Sequence, residues 1–164
     1  MRYLAQREHS RAELGRKLAR FAEDKPDATA AEQISRALDE LAAVGLLSEE
    51  RAAQSVLSGQ GQRFGSRRLK QTLLSKGLPA PLVASTLHQA RTTELERARA
   101  VWQRRFGTPA AEPAERARQM RFLAGRGFEG DIIRRVVAGL DDSEKAQEEA
   151  PEDRDTNPRA GFGR

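Results

Sequence analysis

The residues that could do chemistry in this chain are few and badly placed for catalysis. Its two histidines, His9 and His88, lie far apart at a helix end and a polar flank, where capping or surface roles are expected. No H-E-x-x-H, G-x-S-x-G or phosphate-loop motif is present. The stretch "GQGQRFG" at 59–65 lacks the G-K-S/T of a phosphate loop and follows no strand, so it marks a helix end. Acidic pairs at Glu49–Glu50 and Asp141–Asp142 have no third ligand at metal spacing. There is no cysteine, which removes disulfides, thiolate metal sites and thiol nucleophiles together. No catalytic residue, metal ligand or cofactor is expected.

What stands out is cationic. The stretch "RFGSRRLKQTLLSKGL", residues 63–78, contains Arg63, Arg67, Arg68, Lys70 and Lys76 and no acidic residue. Residues 51–140 carry 17 Lys/Arg against 6 Asp/Glu, net +11, whereas residues 1–50 are net −2 and residues 141–164 net −4. Such segregation creates a directed field that favours a polyanion or an acidic protein surface as partner. Arg104, Arg105, Arg116, Arg118, Arg121, Arg126, Arg134 and Arg135 continue the charge, and the planar guanidinium suits carboxylate or phosphate.

The elements that must position these cations are helices. No alternating β-branched run or hairpin dipeptide occurs. Capping boxes are expected at Ser10/Glu13, Thr29/Glu32 and Thr93/Glu96, with Gly45, Gly65, Gly77, Gly107 and Gly127 closing helices in the left-handed region. The helices repeat. At an offset of 50, Leu69, Leu73, Gly77, Leu78, Val83 and Leu87 align with Gln119, Leu123, Gly127, Phe128, Ile133 and Val137. The "RFG" triplets at 63–65 and 105–107 read as equivalent helix ends, 42 residues apart. In the first unit Leu14, Leu18, Ile34 and Leu38 take the corresponding places.

The expected architecture is all-α: an elongated tandem array of three three-helix repeats, about nine short helices, whose units bury apolar faces on one another. The boundaries fall at 1–46, 47–91 and 92–140, and residues 141–164 are expected to be a disordered acidic tail. On a wheel of about 100° per residue with Ser66 as N-cap, Leu69 and Leu73 form the core seam of the basic helix. Arg67, Lys70 and Leu74 share one flank and have no counterpart in the third unit, where Ala117, Met120 and Ala124 stand. They suit either a partner contact or a seam between repeats. Arg68 and Lys76 match Arg118 and Arg126 and recur with the architecture. Phe64, Trp102, Phe106, Phe122 and Phe128 sit at helical spacing beside aliphatic positions and are expected in the core. No apolar run approaches the ~18 residues of a membrane span, so no membrane partner is expected and a cytoplasmic location is.

Three segments, "YLAQREHSRAEL", "LAAVGLLSEERAAQ" and "FGSRRLKQTLLSKGL", in this order resemble the RecX family of bacterial RecA regulators over residues 2 to about 139. The resemblance implies an all-helical array of three three-helix repeats. It also implies a protein, expected to be a monomer, that binds RecA and the RecA–DNA filament in its groove. Such a protein suppresses ATP hydrolysis, strand exchange and co-protease activity, with direct contact to single- or double-stranded DNA as an accessory property. The candidate contacts are Arg63, Arg67, Arg68, Lys70, Leu74, Lys76, Arg104, Arg105, Arg118, Arg121, Arg126, Arg134 and Arg135. The alternative is a helical-repeat module acting directly on DNA or RNA. Three features depart from the family pattern. Ser48 and Glu49 replace its acidic pair and Ala52 its aromatic, which predicts a looser junction between the first two units; the first helix starts almost at Met1; and the acidic tail is additional. By charge, that tail is expected to fold back on the basic face and weaken non-specific DNA binding.

Overall fold

The computed structural model describes residues 7–139, and within them every regular element is a helix. The order is α1 (Arg11–Leu18), α2 (Ala30–Ala43), α3 (Glu49–Gln60), α4 (Ser66–Ser75), α5 (Ala80–Thr92), α6 (Glu94–Arg105), α7 (Pro113–Gly125) and α8 (Gly130–Ala138). A ninth helix expected at the start of the first unit, and the acidic tail expected to be disordered, lie outside the described residues.

Local chemistry accounts for most of the helix ends. Thr29 caps α2 in a complete capping box: its hydroxyl accepts from Glu32 N–H at 3.3 Å, and Glu32 Oε2 accepts from Thr29 N–H at 2.8 Å. Ser48 caps α3 by accepting from Arg51 N–H at 3.2 Å. Ser10 caps α1 at Glu13 N–H, but the Glu13 side chain turns to Arg7 and Lys76, so only half of that box forms. The box expected at Thr93 is absent. Thr93, with φ of −113° and ψ of 9°, is both the C-cap of α5 and the N-cap of α6, and its hydroxyl accepts from Arg97 Nε at 3.2 Å.

The apolar side chains collect into three separate clusters along the chain. Leu14, Leu38 and Leu47 form the first, with Leu18, Ile34 and Leu41 packed against them. The second unites α3, α4 and α5 around Leu69, Leu73, Leu78, Val83 and Leu87, with Ala52, Ala53 and Val56 beneath. Ala52, where the family pattern carries an aromatic, is therefore part of this second core. The third unites α6, α7 and α8 around Trp102, Leu123, Phe128, Ile133 and Val137. Each position paired at the offset of 50 is buried in both units except the glycine turn. The exchange of Leu69 for Gln119 has a local cause. Buried Trp102 needs an acceptor for its indole N–H, and Gln119 Oε1 supplies it at 2.9 Å.

The "RFG" triplets are not equivalent. Gly107 is left-handed, with φ of 77°, whereas Gly65 has φ of −81° and is the N-cap of α4. Glycine is required at 65 for close approach instead, because a Cβ there would overlap the backbone of Phe128. The first helices of the second and third units align at an offset of 45, which superposes buried Ala53 and Val56 on Ala98 and Val101.

Candidate functional site

The cations are positioned by two seams of the same design. At the seam between α4 and the third cluster, Glu94 opens α6 and is 2% exposed. Its carboxylate accepts from Ser66 N–H at 3.0 Å, from the Ser66 hydroxyl, and from Glu129 N–H at 3.4 Å. Ser66 is thus the first residue of α4 and not its cap. A carboxylate from 28 residues downstream takes the capping role and draws the serine hydroxyl to itself. Backbone bonds reinforce the contact: Gly65 N–H donates to Arg126 O at 3.1 Å and Arg67 N–H to Gly127 O at 3.0 Å.

The earlier seam repeats this plan. Glu49 opens α3, and its Oε1 accepts from Arg11 N–H, at the start of α1, at 2.8 Å. The Ser10 hydroxyl donates to Lys76 O, and Lys76 Nζ lies 2.9 Å from Glu13. Glycine turns dock on the first turns of α1 and α4. A Cβ on Gly77 would come within 2.6 Å of Ala12 Cβ, and one on Gly127 within 2.6 Å of Arg68 Cβ. The two seams differ in completeness. Glu94 has a donor for each oxygen, whereas Glu49 Oε2 is buried with none among the described residues.

Around the Glu94 seam the arginines converge. The guanidinium carbons of Arg68, Arg63 and Arg126 lie 4.1, 5.8 and 6.0 Å from the Phe64 ring centroid, and Arg126 lies 5.0 Å from that of Phe122. Phe64 is therefore half-buried beneath cations instead of in a core cluster, contrary to its expected place. The quadrupole of its ring stabilises charges that would otherwise repel. Phe106 and Phe122 meet edge to face at 5.2 Å beside the third core. Arg67 and Arg68 also line a cleft of about 220 Å³ with Gln71, Ala124, Gly125 and Gly127.

The trio special to the basic helix faces outward. Arg67 and Lys70 are exposed and Leu74 is 50% exposed, so their side chains do not fill a seam. Lys76 belongs to the Glu13 seam. Arg104 and Arg105 are exposed in the last turn of α6, and Arg118 pairs with Glu115 at 3.2 Å on the surface of α7. Arg121 and Arg134 are exposed and Arg135 is half-buried on α8. The thirteen candidates thus divide between the Phe64 cluster, the outer face of α4, the Glu13 seam that holds Lys76, and scattered positions on the third unit.

Several residues that matter were not legible as such. Arg97 is an internal clamp, donating to Gly61 O, Phe64 O and Ala90 O at 2.5, 2.7 and 2.6 Å; burial lowers its pKa, with the Glu94 charge opposing. His9 lies at the start of α1 as expected, but it is buried and not at the surface. Its Nδ1 lies 2.9 Å from Arg7 O and its Nε2 2.7 Å from Lys17 Nζ, and burial first, then neighbouring cations, push its pKa down. The recurrence of a glutamate at the start of α3 and α6 was the available signal for the seams. Among the described residues no group of His, Asp and Glu could hold a metal ion, and no helix is long and apolar enough to cross a membrane.

A family model described as RecX, third three-helix domain, matches residues 92–137. The regulatory protein RecX of Leptothrix cholodnii is 52% identical over 137 residues, covering 84% of this chain and 83% of that protein. The regulatory protein RecX of Chromobacterium violaceum is 42% identical over 136 residues, covering 83% and 84%. The crystal structure of RecX from Lactobacillus salivarius superposes with a TM-score of 0.68 at 19% identity, covering 85% of this chain and 90% of that one.

Proposed function

The chain belongs to the RecX family of regulatory proteins, and on that premise we propose that it regulates RecA without catalysis of its own. It binds RecA and the RecA–DNA filament in the cytoplasm as a monomer and suppresses ATP hydrolysis, strand exchange and co-protease activity. Three units, bounded at 46/47 and 91/92, lie along the filament. The observation that supports a contact role for the cations is their lack of acidic partners, aromatic contacts at Phe64 and Phe122 aside. Among the described residues Arg63, Arg67, Lys70 and Arg126 form no ion pair, although they stand on or beside the most basic helix. A charge left unpaired on a rigid seam is free to meet an acidic or phosphate surface.

The test is DNA-dependent ATP hydrolysis by RecA. Equimolar protein is expected to inhibit it. Arg67→Glu with Lys70→Glu is expected to weaken inhibition about tenfold or more, consistent with loss of roughly 1.4 kcal/mol or more. Arg134→Glu with Arg135→Glu tests the third unit in the same way. Failure of wild-type protein to inhibit refutes the RecA reading; intact inhibition by both folded variants refutes the contact surface.

The Phe64 cluster favours a second reading, a helical module that acts directly on DNA or RNA. Three guanidiniums gathered within 6.0 Å of one ring suit phosphodiesters as well as carboxylates. That reading requires affinity for free nucleic acid to fall with a log–log salt slope of about −0.9 per phosphate neutralised on duplex DNA, and RecA inhibition to be absent.

A further inference from the structure

Arg97 is a half-buried cation whose charge the fold does not answer with an anion in contact. Four of its N–H groups are committed to neutral acceptors, namely Gly61 O, Phe64 O, Ala90 O and the Thr93 hydroxyl. A guanidinium has about five such groups, so one on Nη2 remains. Arg97 forms no ion pair among the described residues, and the Glu94 carboxylate is bound instead to Ser66 and Glu129. Burial of an unpaired cation disfavours its charged form, and the pKa of Arg97 is lowered accordingly.

This guanidinium lines an open cleft of about 390 Å³ between the ends of α3 and α5 and the start of α6. Leu57 and Ala90 supply the apolar part of its lining, and no acidic side chain belongs to it. Uncommitted donors surround the cation. The side-chain amides of Gln54, Gln62 and Gln89 have no hydrogen-bond partner among the described residues, and neither has Gln62 N–H. The Thr93 hydroxyl accepts from Arg97 and keeps its own hydrogen, whereas Ser58 and Thr92 donate theirs to Gln54 O and Gln89 O. The stretch "GQGQRFG" is not a phosphate loop, yet its Gly61 and Gln62 form one wall of this cleft.

We propose that this cleft binds a phosphate group, held by the remaining Arg97 N–H, the Thr93 hydroxyl, Gln62 N–H and the glutamine amides. An unanswered cation in a lining without acids selects an anion. Donors that converge from two helix ends and a helix start suit the tetrahedral oxygens of phosphate better than the two coplanar oxygens of a carboxylate. The phosphate comes from a free nucleotide or from a nucleic-acid backbone. The site shares no residue with the α4 flank or the Phe64 ring cluster, and it stands whether or not RecA is the partner.

The test is NMR of the full chain with isotope-labelled glutamine side chains. Inorganic phosphate, titrated against chloride at constant ionic strength, is expected to move the amide signals of Gln62 and Gln89. Gln33 and Gln119 are expected to stay in place, because their amides already donate to backbone carbonyls. Gln62→Glu puts a carboxylate on an exposed wall residue without touching the Arg97 clamp. Read at Gln89, it is expected to weaken the phosphate response about tenfold or more. Adenosine monophosphate and a single-stranded oligonucleotide without terminal phosphates distinguish the sources. A response to the first alone assigns a free nucleotide, and a response to the oligonucleotide assigns the backbone; either supports the proposal. Unmoved Gln62 and Gln89 signals overturn it, as does an undiminished phosphate response in Gln62→Glu. An equal response to acetate also overturns it, and a response to inorganic phosphate but to neither nucleotide probe marks an adventitious ion only and does the same.

Discussion

The two seams differ in one carboxylate's hydrogen bonding, and that difference predicts very different costs for the same substitution. Glu94→Ala removes the acceptor for the Ser66 N–H and hydroxyl, at a position where Glu94 and Ser66 are each 2% exposed. A bond to a charged acceptor contributes about 1.5–3 kcal/mol, and an orphaned buried donor costs about 1–3 kcal/mol, so the substitution should destabilise by about 3–5 kcal/mol. Glu49→Ala removes one bond, that from Arg11 N–H, and also removes the buried Oε2 that has no donor. These effects oppose each other, leaving a net loss of about 1 kcal/mol. Urea unfolding separates the cases. Trp102, the single tryptophan, is buried in the third core and reports that unit by fluorescence, while far-ultraviolet circular dichroism reports all helices. Because an array's stability is a sum over units and neighbour interfaces, Glu94→Ala should also pull the two transitions apart. Equal losses for the two substitutions, or a loss for Glu94→Ala below about 1 kcal/mol, would refute the assignment of Glu94 as the clamp.

Gly127→Ala should destabilise by at least about 2 kcal/mol, combining a left-handed backbone with steric overlap, since φ is 81° and the new Cβ meets Arg68. Gly59→Ala, in the last turn of α3 with open space around it, should stabilise by up to about 0.5–1 kcal/mol; thermal melts of both check the contrast. Burial pushes the Glu13 carboxyl up, but hydrogen bonds from Arg7 and Lys76, with their charges, outweigh it and hold the pKa at about 2 against an ordinary 4.5. A carboxylate with a depressed pKa contributes stability that is complete above its unfolded value and lost as pH falls toward its folded value. Glu13→Gln should therefore flatten the acid side of the stability profile between about pH 4.5 and 2, measured by denaturant midpoints across that range.

What could be read from the sequence was whatever local chemistry decides alone. Thr29 with Glu32 forms its capping box because hydroxyl and carboxylate are both within one turn. Leu73 and Leu123, or Val83 and Ile133, are buried because helical spacing puts them on the face that meets the neighbouring helices. The failures share the opposite property. Ser66 has a capping residue's chemistry, but a carboxylate 28 residues away competes for the same orphan N–H and wins. Phe64 has a core residue's chemistry, yet it sits where Arg63, Arg68 and Arg126 converge from different helices and turns. Gly65 resembled a left-handed helix stop, but what demands glycine there is the backbone of Phe128. For Ser66 and Gly65 the deciding partner lies in another unit, beyond the range of any spacing rule, and around Phe64 the third cation, Arg126, comes from another unit as well. Among the candidate residues, the outward flank of Arg67, Lys70 and Leu74 was legible because it depends on the wheel alone. The commitment of Lys76 to Glu13, 63 residues earlier, was not.

The seams also explain why the basic helix can present a fixed surface at all. A charged helix on a mobile unit would lose side-chain and rigid-body entropy on meeting a partner. Here the first turn of α4 is tied through Ser66 to Glu94 and through Gly65 and Arg67 to the turn at Arg126–Gly127. Arg97 secures the preceding loop at Gly61 and Phe64. Leu69 and Leu73 then fix the helix rotation by their burial, which leaves Arg67, Lys70 and Leu74 no orientation but outward. The same turn carries Arg126 to the Phe64 ring, so this part of the cationic surface is assembled from two units at once. Loosening the Glu94 clamp should for that reason disperse the arginine cluster without removing a single arginine, and partner binding should weaken in proportion to the loss of coupling between the second and third units.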